Sequence, residues 1–576
     1  MKTYSKILIL LSVLVLAGCD DLLEPKTDNT YPSSDTWRLA DKAKGVLYNA
    51  YAAIGNTIDA YDGNFLDCAT SDALTNNYSS GIYKLGQGVL STTVNPLDIW
   101  ELAYAQFANI HMFLENGLND NIRYSVLDEE MNERYKTHYR AEAYFLRAWW
   151  GWQLLRVYGG KVAGGEVLGY PIVLSTEDGK KPMKRDSYER CVSQILQDLD
   201  TAMEGLPDKY LDEGGDAITG TANMGKACRN AAWALKAIVC LYAASDAYQP
   251  DNVTDDERQA KWERAARLAE EAIGNIGGKP AWLTAGVVSG DNNTMPVEYL
   301  FALSSGKGNS IEKSNFPPYW QGSGRTNPSQ NLVDAYPMKN GFPISDSRSD
   351  YDQKNPYSGR DPRLEMTILY NGAKFKGSTI DMFEGGKDSR SLEPDRASRT
   401  GYYLKKWIVD KVSFTPGATA NANHYYPLIR HTEVWLAFAE AANQAWGPIG
   451  RDPEGGQKSA YDALAELRAG AGITDTEYLD EIAADGKEAF DKLVLNERRL
   501  ELAFENHRYF DIRRRLLKSE MAESVKGVDV IRTSTGFEYT VKEVEHRYLS
   551  GDRYIYSPIP FSESSKNPLL EQNVGW

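Results

Sequence analysis

One segment near the carboxyl end of the chain concentrates acidic and basic side chains that could do acid–base chemistry. Glu497 and Glu501 stand four residues apart, and Arg508 and Asp511 follow seven and ten residues after Glu501. On a continuous helix this spacing places all four side chains on one face. One interpretation is a general acid and base with an arginine clamp. The other is an ion-paired seam between helices, which we favour because paired helical charges are usually structural.

Sequence motifs of the common catalytic folds are absent from the chain. It has no G-x-S-x-G, Walker A, G-x-G-x-x-G or H-E-x-x-H pattern, and its six histidines never fall at metal-ligand spacing. Cys68, Cys191, Cys228 and Cys240 match no metal or redox motif, so we interpret them as small buried side chains, and a disulfide between two of them is the alternative that the sequence leaves open. We therefore expect no catalytic residues, no metal and no cofactor. The 80 carboxylates leave one alternative open, a glycosidase that uses a carboxylate pair.

The amino-terminal segment predicts export and lipid attachment at Cys19. A charged start (residues 1–6) is followed by an apolar stretch (7–16) that is far shorter than the roughly 20 residues a membrane span requires. The four residues that end at Cys19 read Leu-Ala-Gly-Cys and resemble a bacterial lipobox. We expect residues 1–18 to be a lipoprotein signal peptide and residues 19–34 to be a lipidated, flexible leader.

Charge and composition narrow the class of partner. The formal net charge of −16 argues against nucleic acid, because phosphate contacts are made mostly by lysine and arginine. The chain also has 35 tyrosines, 13 tryptophans and 16 phenylalanines. Aromatic cores explain part of this content, and exposed rings that stack on a flat ligand are the competing explanation.

The pattern of apolar residues divides the chain into three parts. Residues 35–276 have the period of amphipathic helices, whereas residues 277–426 are rich in Gly, Asn, Ser and Pro and carry scattered aromatic residues. Helical periodicity returns in residues 427–576, which end in an extended tail and which we expect to pack against the first part. The predicted fold class is mainly α, with tetratricopeptide-like helix pairs and a loop-rich, strand-poor insert.

Particular elements follow from the same pattern. Residues 134–158 carry one apolar stripe and end at a pair of glycines, which predicts a long helix with a glycine stop. Residues 488–517 are predicted as a single helix, which would carry the acidic and basic face described above. Residues 364–370 and 402–409 are predicted as short strands within the loop-rich part.

Several further segments form a series along the chain. They are residues 140–150 with Tyr158-Gly159-Gly160, 185–189 with 198–200 and 206–207, 360–364, 403–407, 427–430 with 439–441, 497–502 with 508–511, and 558–560 with 567–568, 572–573 and 575–576. In this order they resemble the SusD/RagB family of Bacteroidetes outer-membrane nutrient-binding lipoproteins. The Asp20-Asp21 pair directly after Cys19 is similar to the surface-export signal of such lipoproteins.

The resemblance implies a SusD-like fold and a function without catalysis. It implies a lipid-anchored protein on the cell surface of a Gram-negative outer membrane, held there through Cys19. Its partner would be a SusC-type TonB-dependent transporter, to which it delivers captured oligosaccharide or polysaccharide. Members of the RagB branch capture peptide, so peptide capture is the alternative within the same architecture. A surface glycosidase is the alternative from another class.

The resemblance also places the ligand site on the loop before the second helix and on the loop-rich middle part. A sugar ring has an apolar face and a rim of hydroxyls, so aromatic faces combined with Asp, Asn and Arg side chains suit it. The residues of these types that we expect to bind the ligand are Asp67, Asp72, Asn76, Asn77, Tyr78, Tyr83, Trp282, Tyr319, Trp320 and Arg325.

Overall fold

The computed structural model describes residues 36–210, 214–281, 295–549 and 551–576. Within these residues the chain is mainly helical, and its strands form small two-stranded sheets, which confirms the predicted fold class. The helices, numbered in chain order, are α1 Ala40–Ala52, α2 Gly81–Gly86, α3 Trp100–Asn116, α4 Glu129–Tyr158, α5 Tyr188–Met203, α6 Arg229–Ala244, α7 Asp255–Ile276, α8 Ser310–Asn315, α9 Gln330–Ala335, α10 Pro362–Thr367, α11 His431–Trp446, α12 Ala460–Gly470, α13 Glu477–Ala484, α14 Lys487–Glu501, α15 Arg508–Arg514, α16 Lys518–Met521 and α17 Phe561–Lys566.

The strands pair in antiparallel fashion, two to a sheet. In chain order they are β1 Ala73–Thr75, β2 Gly160–Lys161, β3 Val167–Leu168, β4 Tyr299–Gly308, β5 Thr326–Pro328, β6 Ile368–Leu369, β7 Lys374–Phe375, β8 Ser378–Thr379, β9 Tyr403–Leu404, β10 Ala422–Arg430, β11 Val525–Arg532 and β12 Phe537–Glu545. The pairs are β1 with β5, β2 with β3, β4 with β10, β6 with β9, β7 with β8 and β11 with β12.

Local sequence explains where the long helices begin and end. The side chain of Asp128 caps α4 by accepting a hydrogen bond from the backbone N–H of Met131, and α4 ends before Gly159, as the glycine pair predicts. Thr254 and Glu257 form a reciprocal capping box at the start of α7. These signals lie within a few residues of the helix that they bound. The end of α4 agrees with the predicted helix 134–158, but α4 begins at Glu129, five residues earlier than predicted.

The helices form one continuous array. Helix α3 packs on α4, α4 on α5, α5 on α6, and α6 on α7, in the order of the chain. Helix α7 then packs on α11, although the loop-rich part separates them in sequence, and α11 packs on α12 and α14. Strand β10 leads directly into α11 and pairs with β4, so the loop-rich part leaves the array and rejoins it at neighbouring points.

Three predicted elements differ from the structure. Within the segment 402–409 that was predicted as a strand, only Tyr403 and Leu404 form one, β9. The segment predicted as a strand from residue 364 is helical up to Thr367, and only Ile368 and Leu369 pair with β9. The predicted single helix 488–517 is broken after Glu501, because Phe504 and Asn506 adopt positive φ angles of 58° and 63°. Glu501 and Asp511 consequently lie on two helices, α14 and α15, rather than on one helical face.

The acidic and basic residues around this break form a buried ion-pair cluster. Arg430 contacts Glu501 and Glu505 at 3.0 Å each, and Arg363 contacts Glu497 at 2.7 Å. All five side chains are buried. Burial alone raises the pKa of Glu505, but the charges of Arg430 and of neighbouring Lys406 overcome it and lower that pKa to about 2. The ion-paired interpretation of this segment is confirmed.

Asp67 and Asp72, which we expected to face a ligand, belong to the same buried framework. Asp67 accepts a hydrogen bond from the backbone N–H of Phe504 at 2.9 Å, and Asp72 forms an ion pair with Arg499 at 2.8 Å. Both aspartates have no exposed surface. They anchor the segment before β1 to α14 and to the turn that follows it, which corrects the expectation that they contact ligand.

Removing the charge of Arg430 should strongly destabilise the fold. Arg430→Met leaves Glu501 and Glu505 buried without their main partner, so we expect the free energy of unfolding to fall by about 3–5 kcal/mol. Arg451→Met, which breaks the exposed pair with Asp462, should cost less than about 1 kcal/mol. Urea denaturation of the two variants measures the difference. Equal stability of the two variants would contradict a structural role for the cluster.

Stability should also depend on pH through Asp67. Burial, reinforced by nearby Asp72, raises the pKa of Asp67 from 3.8 to about 7, in spite of the hydrogen bond from Phe504. Between about pH 4 and 7 the folded state therefore holds a proton that the unfolded state has released, so stability falls as pH rises through this interval. Asp67→Asn keeps the acceptor and should show a smaller fall in melting temperature between pH 4.5 and 7.5.

The exposed Asp41→Asn variant provides the control, and its melting temperature should follow that of the wild-type protein. The pKa of buried Glu433 is also raised to about 7, mainly by burial, so part of the pH dependence should remain in Asp67→Asn. An unchanged pH profile in Asp67→Asn would show that Asp67 is ionised in the folded protein.

Candidate functional site

Two of the loop segments that were predicted to bind ligand meet at the β1–β5 sheet. Thr75, the last residue of β1, pairs with Thr326, the first residue of β5. Beyond this pair, the backbone N–H of Asn76 donates to the carbonyl of Arg325 at 3.3 Å. The loop that follows β1 and the turn that precedes β5 are therefore neighbours, although about 240 residues separate them in the sequence.

Asn76 fastens these segments together. Its side-chain amide donates to the carbonyls of Ser323 and Arg396, each at 2.8 Å. This uses both of the amide's N–H groups, so Asn76 acts as a clamp for three loops. Asn77 is half-buried, and its side-chain carbonyl accepts a hydrogen bond from the hydroxyl of Ser79 at 2.8 Å.

The loop after β1 and the short helix α2 that follows it present a pair of tyrosines, Tyr78 and Tyr83. The Tyr78 ring is 52% exposed and meets the half-buried Tyr83 ring edge to face, with centroids 5.1 Å apart. The Arg399 guanidinium lies 4.8 Å from the Tyr78 centroid. It is held there by hydrogen bonds to the Thr75 carbonyl at 3.0 Å and to the Glu545 carboxylate at 2.6 Å. The Tyr78 ring thus rests on a cation whose position is fixed.

The turn before β5 presents a second aromatic pair. The Tyr319 ring is 54% exposed and meets the half-buried Trp320 ring edge to face at 5.0 Å. Trp320 in turn packs edge to face on Phe375 at 5.9 Å. The Lys387 ammonium lies 5.1 Å from the Tyr319 centroid. Trp320 is therefore a support for Tyr319 as well as a partly accessible ring.

Two further cationic residues lie on the segments that Asn76 joins. Arg325 is half-buried, and its guanidinium makes no ion pair within the described residues. Arg396 is exposed and pairs with Glu393 at 3.0 Å. Together with the two aromatic pairs, the arrangement can stack on the apolar face of a ligand and donate hydrogen bonds to oxygen atoms around it.

Sequence reasoning missed Arg399, Lys387 and Glu545. Arg399 and Lys387 lie in the loop-rich part, where no periodicity marks a side chain that will reach an aromatic ring. Glu545 ends β12, and its pairing with Arg399 spans 146 residues. In the sequence, Arg399 and Lys387 appear only as basic residues in loops rich in Ser and Gly. That pattern does not show which side chains they contact.

Two predicted residues, Cys19 and Trp282, lie outside the described residues. Cys68, Cys191, Cys228 and Cys240 are free and buried, as predicted. Within the described ranges, no group of three or more His, Cys, Asp or Glu side chains could hold a metal ion. No helix among those described is both long and apolar enough to cross a bilayer.

Comparison with known proteins gives consistent matches over most of the chain. The SusD family profile matches residues 298–576, and the profile described as "Starch-binding associating with outer membrane" matches residues 21–229. The curated SusD-like protein P25 of Formosa agariphila is 20% identical, over 99% of this chain and 98% of its own length.

Solved structures have the same fold. A SusD-like carbohydrate binding protein from Bacteroides fragilis is 21% identical and superimposes with a TM-score of 0.69, covering 93% of this chain and 99% of its own. A laminarin binding SusD-like protein is 19% identical, with a TM-score of 0.55 over 93% of this chain and 99% of its own. Two family profiles that together span both ends of the chain, with this shared fold, show that the chain belongs to the SusD family.

Proposed function

We propose that this protein is a non-enzymatic glycan-binding lipoprotein of the cell surface. It captures oligosaccharide or polysaccharide at the Tyr78 and Tyr319 pairs and delivers it to a SusC-type TonB-dependent transporter in the outer membrane. The observation that carries the proposal is the exposure of two aromatic pairs on segments that the β1–β5 sheet brings together. The carbohydrate binding and laminarin binding SusD-like proteins that share this fold support the ligand class.

The geometry of the aromatic pairs suits a sugar. In each pair the half-buried ring meets the exposed ring edge to face, so part of the exposed ring stays open to solvent. A pyranose ring can lie on such a face through its C–H groups, while its equatorial hydroxyls project to the side. Arg325 and Asn77 lie on the same segments as these rings, and Arg396 lies on the loop that Asn76 joins to them, so these side chains can provide hydrogen-bonding groups for the hydroxyls.

The absence of catalysis is part of the proposal. Glu497 and Glu501, whose spacing in the sequence could suit acid–base catalysis, are buried and paired with arginines. A glycosidase needs two accessible carboxyl groups on either side of the scissile bond. The buried positions of these two residues favour capture over hydrolysis.

Substitution of the exposed tyrosines should weaken glycan binding without unfolding the protein. Each ring stack contributes about 0.5–1.5 kcal/mol, so Tyr78→Ala and Tyr319→Ala should each weaken binding roughly 3- to 10-fold. If one glycan chain contacts both rings, the affinity of the double variant should fall by the product of the two single-variant factors. Affinity electrophoresis against laminarin, starch, xylan, pectin and mannan identifies the ligand, and isothermal titration measures the affinities.

Phe561→Ala is the matched control, because Phe561 is 59% exposed on α17 and touches neither aromatic pair. It should bind as the wild-type protein does. Binding of peptides in place of every polysaccharide would support the RagB-like alternative. Turnover of the bound glycan that a single Asp or Glu substitution abolishes would support a glycosidase. Either result would overturn the proposal.

Lipid attachment at Cys19 is the second part of the proposed function, and it can be tested separately. Cys19→Ala removes the thiol that the lipobox presents, so the protein should fail to incorporate labelled palmitate. After cell fractionation it should move from the outer-membrane fraction to the soluble fraction, whereas Cys68→Ala should not change its location. Retention of Cys19→Ala in the outer membrane would contradict the lipid anchor.

A further inference from the structure

A separate cleft lies at the tip of the β11–β12 hairpin. It has a volume of about 540 Å³ and is enclosed by the hairpin tip on one side and by residues 354–358 on the other. That volume falls in the range of small-molecule sites, which run from about 300 to 1,000 Å³. None of the residues predicted from the sequence to bind ligand lines it.

Aromatic side chains form the inner wall of this cleft. The Tyr357 ring stacks on Tyr370 with centroids 4.1 Å apart, and the Tyr539 ring meets Tyr357 edge to face at 5.5 Å. Phe537 follows at 6.5 Å from Tyr539. The Asn371 amide donates to the Tyr539 hydroxyl at 3.4 Å. Tyr539 and Phe537 are half-buried, so part of each ring is accessible from the cleft.

Polar side chains form the outer wall. Ser358, Thr535 and Glu538 line the cleft and are exposed. Within the part of the chain that the structure describes, their side chains make no hydrogen bond or ion pair with other residues. Asn355 donates to Asp352 at 2.7 Å, which leaves its carbonyl oxygen available. Hydroxyl, carboxylate and amide groups opposite aromatic rings are the combination that recognises a sugar ring.

One strand links this cleft to the aromatic site. Side chains alternate between the two faces of β12 from Phe537 to Glu543, so Phe537, Tyr539 and Val541 lie on the same side, and a register shift between Glu543 and Glu545 interrupts the alternation before Glu545. Glu545 holds Arg399 beneath Tyr78, while Phe537 and Tyr539 line the cleft. At about 3.3 Å per residue, the eight steps between Phe537 and Glu545 span roughly 26 Å. Val541 lies between the two ends and is 50% exposed.

We propose that this cleft is a second carbohydrate subsite, which takes pyranose residues of the same polysaccharide chain that the Tyr78 and Tyr319 pairs hold. This inference rests on the proposed function. A ligand that reaches both ends of β12 gains affinity because binding at the second subsite is intramolecular. A short oligosaccharide reaches only one of the two. The cleft therefore makes the protein selective for long chains.

The test compares long and short forms of one glycan. The probes are the polysaccharide of the panel above that binds the wild-type protein and the trisaccharide prepared from it. Tyr539→Ala removes one wall of the cleft, and Thr535→Trp fills the cleft from an exposed position without removing any buried group. Each should weaken polysaccharide binding about tenfold and change trisaccharide affinity by less than about twofold.

Thr540→Trp is the matched control, since Thr540 lies on the opposite face of β12 and is exposed. It should bind both probes as the wild-type protein does. Unchanged polysaccharide binding in both Tyr539→Ala and Thr535→Trp, with the loss in Tyr78→Ala retained, would overturn the second subsite alone. Failure of the wild-type protein to bind any polysaccharide of the panel would overturn the proposed function and this inference with it.

Discussion

The rest of the structure depends on the pairing of charges buried around α14. A buried arginine or carboxylate without a partner costs several kcal/mol, so Arg363, Arg430, Glu497, Glu501 and Glu505 tolerate burial only together. Arg363 comes from the loop-rich part, Arg430 from the end of β10, and Glu497 and Glu501 from α14. The cluster therefore sets where the loop-rich part meets the helical array, and it limits how either part can move.

The same framework determines what the site exposes. The contacts that hold the segment before β1 include those from the Phe504 backbone to Asp67 and from Arg499 to Asp72. Beyond them, β1 pairs with β5, and the chain then turns outward at Tyr78. The exposed tyrosine thus follows a segment that is held by groups without exposed surface. This division explains why acidic residues close in sequence to Tyr78 are structural although their types suit a sugar.

Local signals in the sequence predicted the helices well, and long-range contacts limited the prediction elsewhere. The glycine pair that ends α4 follows it directly in the chain, so that end was predicted, whereas the start of α4 at Glu129 lies five residues before the predicted start. The break after Glu501 could not be predicted, because the conformation of Asn506 is held by contacts to Ile58 and Leu66, more than 400 residues away in sequence. For the site, sequence and resemblance named Tyr78 and Tyr319, but Arg399 and its partner Glu545 meet only in the folded chain.

The central claim is that two segments distant in sequence form one ligand-binding surface. Hydrogen–deuterium exchange of the intact protein, with and without saturating polysaccharide, tests it most directly. We expect the backbone amides of residues 76–83 and of residues 317–325 to take up less deuterium when the glycan is bound. Unchanged uptake in both segments, with protection at another surface of the molecule, would contradict it.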